Sequence, residues 1–157
     1  MKISAILPPA QILLDVPVDA KDDVLRYIAR RLEQLDLASD SAEVYDALAK
    51  REMMMSTGIG GGLGIPHALT PAVEQLCLLL VRPRNPIPFD ALDGQPVSVV
   101  FGLLVPENET TLHLRALAAI SGLCKKPGFL KGVFGAEDAD RLWSRIKEVE
   151  SRADVPG

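Results

Sequence analysis

The sequence predicts a single-domain α/β sandwich, and three observations carry that reading. Segments with apolar residues at helical spacing alternate with two near-continuous apolar runs, Leu76-Cys77-Leu78-Leu79-Leu80-Val81 and Val97-Ser98-Val99-Val100-Phe101-Gly102-Leu103-Leu104-Val105, each followed closely by proline. The length, 157 residues with 48% apolar content, suits one domain with a substantial core. No internal repeat or linker divides the chain, so one domain over residues 1–157 is expected, with Ser151 to Gly157 as a polar tail.

Between Ile3 and Val16, short apolar runs are broken by Pro8-Pro9. Asp19 then stands where a helix N-cap is expected, with Asp22 and Asp23 in the first turn. The helix that follows carries Val24, Leu25, Ile28, Leu32 and Leu35 on one stripe, with Arg26, Arg30, Arg31 and Glu33 mostly off it. Asp40 and Glu43 have the spacing of a capping box, and Val44, Ala47 and Leu48 form the apolar face of a second helix reaching Arg51. A glycine-rich loop follows from Met55 to His67. The two apolar runs read as buried strands, and the prolines of Asn85 to Gly94 make that stretch a connector with a turn at Asp93-Gly94. A helix beginning at Thr110-Thr111 puts Leu114, Leu117, Ile120, Ser121 and Cys124 on one side and His113 near its start. Pro127 to Phe134 reads as a short helix, and Ala139, Leu142, Trp143, Ile146 and Val149 mark a last amphipathic one.

Composition removes several classes of function. A net charge of −4, a pI near 5.2 and the lack of any Lys/Arg run argue against binding to nucleic acid or to an anionic membrane. No apolar run approaches the ~20 residues needed to span a bilayer. The start Met1-Lys2-Ile3-Ser4 lacks a hydrophobic signal core, so no membrane insertion and a cytoplasmic location are expected. Cys77 and Cys124 sit in apolar segments, as buried reduced thiols do, and receive no function. Met53-Met54-Met55 reads as core or loop filling.

Chemistry concentrates at His67, which closes a loop holding Gly58, Gly60, Gly61, Gly62 and Gly64. A neutral imidazole is a nucleophile near pH 7 and can accept an acyl or phosphoryl group. Phosphoryl transfer needs positioning and neutralised oxygen charge. Ser56 and Thr57 supply hydroxyls, the glycines supply approachable amides, and Arg51 supplies a planar donor fork. The loop lacks a P-loop ending and fits no GxGxxG frame, and Ser56 has no GxSxG context. A zinc site drawing on His67, His113 and Asp90 or Asp93 lacks any recognised ligand spacing.

Arg51-Glu52, Ser56-Thr57-Gly58-Ile59-Gly60 and Ile65-Pro66-His67-Ala68 resemble the phosphorylation-site signature of the fructose/mannitol-type enzyme IIA proteins of the bacterial phosphotransferase system, especially the nitrogen-regulatory members. Phe89 to Val97, Leu103-Leu104-Val105-Pro106 and Thr111-Leu112-His113-Leu114 resemble its second half, so the likeness covers nearly the whole chain. The resemblance implies a mixed β-sheet flanked by helices and transfer of a phosphoryl group through a histidine. His67 falls at the phosphoryl acceptor, His113 at a second active-site histidine, and Arg51 and Thr57 at phosphate-binding positions. The implied donor is a phosphorylated HPr-like carrier, and the implied receiver is a IIB component or a regulatory target. No metal or organic cofactor is implied, and the length suggests a separate cytosolic subunit without attached IIB and IIC domains. Gly64 stands where the pattern usually has alanine, which predicts a looser site, and Ala68 stands where glycine is common. The rival reading is a protein-binding module of the same fold whose histidine is never phosphorylated.

Overall fold

Strand β6 (Val99–Val105) is buried at every position, so its two faces must be covered and both of its edges paired. In the computed structural model, which describes residues 1–153, this is achieved by a mixed six-stranded sheet. The other strands are β1 (Ile12–Val16), β2 (Gly58–Gly60), β3 (Leu63–Gly64), β4 (His67–Leu69) and β5 (Cys77–Pro83). Their order is β1-β5-β6-β3-β2, with β4 also paired to β6. β5 runs antiparallel to β6, whereas β3 and β4 run parallel to it along the opposite edge.

Six helices cover the sheet: α1 (Ile3–Ile6), α2 (Lys21–Gln34), α3 (Ser41–Met54), α4 (Thr110–Cys124), α5 (Phe129–Phe134) and α6 (Ala139–Ala153). Period-2 alternation divides the strands between two cores. Leu79, Val81, Val100 and Leu104 pack with Val24, Ile28 and Leu32 of α2 and with Val44 and Leu48 of α3. Leu78, Leu80, Phe101 and Leu103 pack with Ile120 of α4, Phe129 of α5 and Ile146 of α6. The α/β sandwich expected from the sequence is the observed architecture, and the two apolar runs are its central strands.

Several local expectations change. Helix α2 starts at Lys21 behind an extended Ala20 that makes no side-chain cap, so Asp19 is not its N-cap; Asp22 and Asp23 still lie at the positive end of the helix dipole. Asp40 does cap α3, accepting from the Ala42 and Glu43 amides. The stretch before Val16, read only as broken apolar runs, contains α1 and the edge strand β1. Helix α4 presents Ala116, Ile120 and Leu123 inward and leaves Leu114 exposed; apolar residues on most of its sides made the phase ambiguous. The first residues of the expected polar tail, 151–153, continue α6, and the remainder lies outside the described residues. Met53, Met54 and Met55 are exposed rather than filling the core.

The glycine stretch is mostly strand rather than loop. β2 and β3 form a hairpin in which Gly58 pairs with Gly64, and Gly61 (φ 66°) and Gly62 (φ 82°) make the left-handed turn. The Asp93 carboxylate holds the Gly61 amide at 3.0 Å.

In the middle of β6, Gly102 lets α2 lie close to the sheet, since a Cβ there would meet Ile28 Cδ1 at 2.8 Å. Gly102→Ala should therefore destabilise the protein by about 1–3 kcal/mol through overpacking. Urea denaturation checks this, and adding Ile28→Val should restore part of the loss.

Candidate active site

His67 opens β4, opposite Leu103 of β6. Alternation along β4 sends Ala68 into the core beneath α2 and α3, and puts His67 and Leu69 on the other side, toward α4. Pro66 has no N–H, so the ladder breaks just before His67. Within this break, the His67 Nδ1 lies 2.7 Å from the Ile65 carbonyl oxygen. A carbonyl only accepts, so Nδ1 carries the proton and Nε2 keeps its lone pair.

His113, in the first turns of α4, brings its ring centroid to 5.1 Å from that of His67, with the planes tilted by 52°. Its Nε2 is buried and makes no hydrogen bond. Both rings line a cavity of ≈ 540 Å³ together with Lys50, Arg51, Met54 and Thr70. Arg51, on the last turn of α3, spends one nitrogen on the Met55 carbonyl at 2.9 Å. The fork keeps other donors for a ligand.

Burial pushes the His67 pKa below the ordinary imidazole value; the bond to Ile65 opposes this, the Arg51 cation adds to it, and Glu52 opposes it. Burial also lowers His113, helped by His67 and Arg51. Both rings are therefore neutral at pH 7, and His67 is a nucleophile at Nε2.

The structure thus brings His67, His113 and Arg51 to one cavity. Ser56 and Thr57 are not among its lining residues, and their hydroxyls are used by the chain itself. Ser56 Oγ donates to the Phe89 carbonyl at 2.6 Å and accepts from the Gly58 amide at 3.0 Å. Thr57, 3% exposed, donates its hydroxyl to Glu52 Oε1 and its amide to Glu52 Oε2. The expected cradle of glycine amides is likewise absent from the cavity lining, because those residues are committed to the hairpin. Asp90 pairs with Lys21 and Asp93 caps the hairpin, so neither stands with the histidines.

Two further residues shape the site without a signal in the sequence. Glu52 follows Arg51 directly, but a carboxylate's position in the chain does not show which donors it accepts from. Lys21 of α2, which pairs with Glu52 at 3.2 Å, carried no signal because the contact joins two helices. Burial raises the thiol pKa of Cys77 to about 11 and of Cys124 to about 12, so both are inert free thiols at neutral pH. No helix among the described residues is long and apolar enough to cross a membrane.

The family model described as phosphoenolpyruvate-dependent sugar phosphotransferase system, EIIA 2, matches residues 5–149. A nitrogen regulatory protein of Bradyrhizobium diazoefficiens is 35% identical over 92% of this chain and 94% of its own. A fructose-specific EIIA component of the same system from Haloferax volcanii is 38% identical over 94% and 96%. The crystal structure of the nitrogen regulatory protein IIA-Ntr from Neisseria meningitidis superposes with a TM-score of 0.85 at 35% identity, covering 92% of this chain and 98% of that one.

Because both imidazoles titrate below their unfolded value in the folded protein, the stability they confer is complete above a pH of about 6.5. It is lost as the pH falls through their lower folded values. Arg51→Met removes a cation that disfavours protonation, so both pKa values should rise. A proton NMR titration of the Cε1–H signals reads this directly, and unchanged midpoints would mean that Arg51 does not act on the pair.

Proposed function

The chain belongs to the phosphoenolpyruvate-dependent sugar phosphotransferase system EIIA 2 family, and from that premise we propose that it is a phosphohistidine carrier with His67 as the acceptor. The observation that carries the assignment is the His67 ring itself: Nδ1–H is held by the Ile65 carbonyl while Nε2 belongs to a ring lining the cavity. Its lone pair attacks the phosphorus of the donor's phosphohistidine. One N–P bond forms as the other breaks, and the donor nitrogen recovers the electron pair. No proton has to move. The positive charge that develops on the His67 ring is stabilised by the Ile65 carbonyl, whose hydrogen bond from Nδ1–H strengthens as the ring becomes cationic.

Arg51 and His113 face the same space, and their work is electrostatic. The guanidinium neutralises phosphoryl oxygens, and an N–H at the unpaired His113 Nε2 donates to one of them. The HPr-like donor seats against a lip that includes Met53 and Met54, 86% and 80% exposed, whose flexible thioethers adapt to an apolar partner face. The phosphoryl group then passes to a IIB component, or its charge alters binding to a regulatory target. Similarity to both a nitrogen regulatory protein and a fructose-specific component supports these two destinations.

His67→Gln should abolish phosphorylation. His113→Gln and Arg51→Met should keep the fold and slow transfer by roughly 10²–10³-fold, as loss of a preorganised charge-stabilising donor does. Intact-protein mass at neutral to alkaline pH, after incubation with phosphoenolpyruvate, enzyme I and the HPr-type carrier, should show one acid-labile phosphoryl adduct on the wild type and none on His67→Gln. An unmodified wild type with active cognate donors would refute the carrier role and favour the binding-module reading.

A further inference from the structure

The geometry points to Glu52 as a positioning residue that fixes the His67 ring through Thr57 and the main chain of Ile65, while Thr57 serves this link and not the phosphoryl group. The Glu52 side chain is only 5% exposed, yet it carries a carboxylate one residue beyond Arg51. Burying such a group is costly unless its oxygens are bonded and its charge is paired. Both requirements are met. Oε1 accepts the Thr57 hydroxyl, and Oε2 accepts the Thr57 amide at 3.2 Å and the Lys21 ammonium at 3.2 Å.

From Thr57 the connection runs toward the acceptor by main-chain bonds. The Thr57 carbonyl accepts the Ile65 amide at 3.0 Å, and the Ile65 carbonyl faces the His67 Nδ1 at 2.7 Å. Ile65, 4% exposed, is thus held at both ends of its peptide units, which aims its carbonyl at the ring. Lys21 is braced in turn, with its ammonium 4.8 Å from the centroid of the buried Phe89 ring. The Phe89 carbonyl accepts from Ser56, the residue before Thr57. Residues from α2, α3 and the connector therefore converge on one peptide, Thr57, whose partner Ile65 selects the Nδ1–H form of His67.

Orientation of this kind acts on the rate of a step and not on the encounter that precedes it. A small misplacement of the nucleophile costs up to about 100-fold, whereas a group that never touches the donor leaves donor affinity intact. The effect on kcat rests on the phosphocarrier reading. The effect on the tautomer does not.

The test is a long-range ¹⁵N–¹H NMR spectrum of the two histidines at pH 8, with His113→Gln to assign them, on the wild type and on Glu52→Ala, Thr57→Val and Thr57→Ser. The wild type should show His67 protonated at Nδ1 only. Glu52→Ala and Thr57→Val should populate the Nε2–H tautomer as well and lower kcat for phosphoryl transfer by about tenfold or more, with KM for the phosphorylated carrier changed by less than about twofold. Thr57→Ser keeps the hydroxyl and should restore both readings. Folded Glu52→Ala and Thr57→Val proteins with the wild-type tautomer would overturn the proposal. Should Glu52→Ala not fold, Thr57→Val decides alone, because it preserves shape and the backbone amide. A wild type that takes no phosphoryl group would sink the carrier reading and leave the tautomer result to judge Glu52.

Discussion

The register of residues 63–69 along β6 is the constraint from which the geometry at His67 follows. Leu63 lies opposite Val99 and Gly64 opposite Val100; past the Pro66 interruption, His67 lies opposite Leu103 in the same register. Continuity across the break is kept by the Pro66 carbonyl, which accepts the Leu103 amide at 3.0 Å. β6 is gripped by a core on each face, so a segment bound to its edge inherits that fixity. A slip of one residue would turn His67 toward α2 and α3 and send Ala68 to the α4 side. Only the ring torsions of His67 remain to be set, and the Ile65 carbonyl sets them.

The last turn of α3 separates two kinds of electrostatic work between neighbouring residues. Successive helical positions point about 100° apart, so Arg51 faces the cavity while Glu52 turns to Lys21 and the segment before the hairpin. The separation has a chemical consequence. Glu43 and Asp46 also line the cavity from earlier turns of α3, but a carboxylate in the place of Arg51 would repel a phosphoryl group beside the histidines and favour the protonated, non-nucleophilic imidazole. Arg51 does the reverse on both counts: it adds to burial in keeping both histidines neutral, and it attracts the incoming anion.

What could be read in the sequence, and what could not, follows from how each feature is stabilised. β5 and β6 were legible because strands buried on both faces need near-continuous apolar residues, and α2 because a helix with one wet face needs a stripe. The strands at 58–60, 63–64 and 67–69 were not, since two or three residues are too few to carry a period, and the pairing of the last two depends on distant partners in β6. At the site, His67, His113 and Arg51 stood out by residue type and by resemblance to a known signature. The positions of the Ser56 and Thr57 hydroxyls stayed hidden, because a sequence shows that a hydroxyl is present but not which acceptor already holds it.

Gly64 shows the same limit in a form that bears on mechanism. Read in the chain, a glycine in place of the usual alanine suggests slack beside the acceptor. In the fold its φ is not left-handed; a Cβ there would lie 3.0 Å from Cε1 of Phe89, and one on Gly58 would lie 2.9 Å from the Ala91 Cα. These glycines admit the Phe89 ring and its connector against the hairpin, and the ring, 1% exposed, fills the space that flexibility would need. Within the hairpin, the glycines that use left-handed backbone are those of the turn at residues 60–62. Phe89 also lies beneath Lys21 and anchors Ser56 through its carbonyl. Gly64 therefore makes room for the ring that braces the route to His67, and the space beside the acceptor is filled by Phe89 instead of left slack.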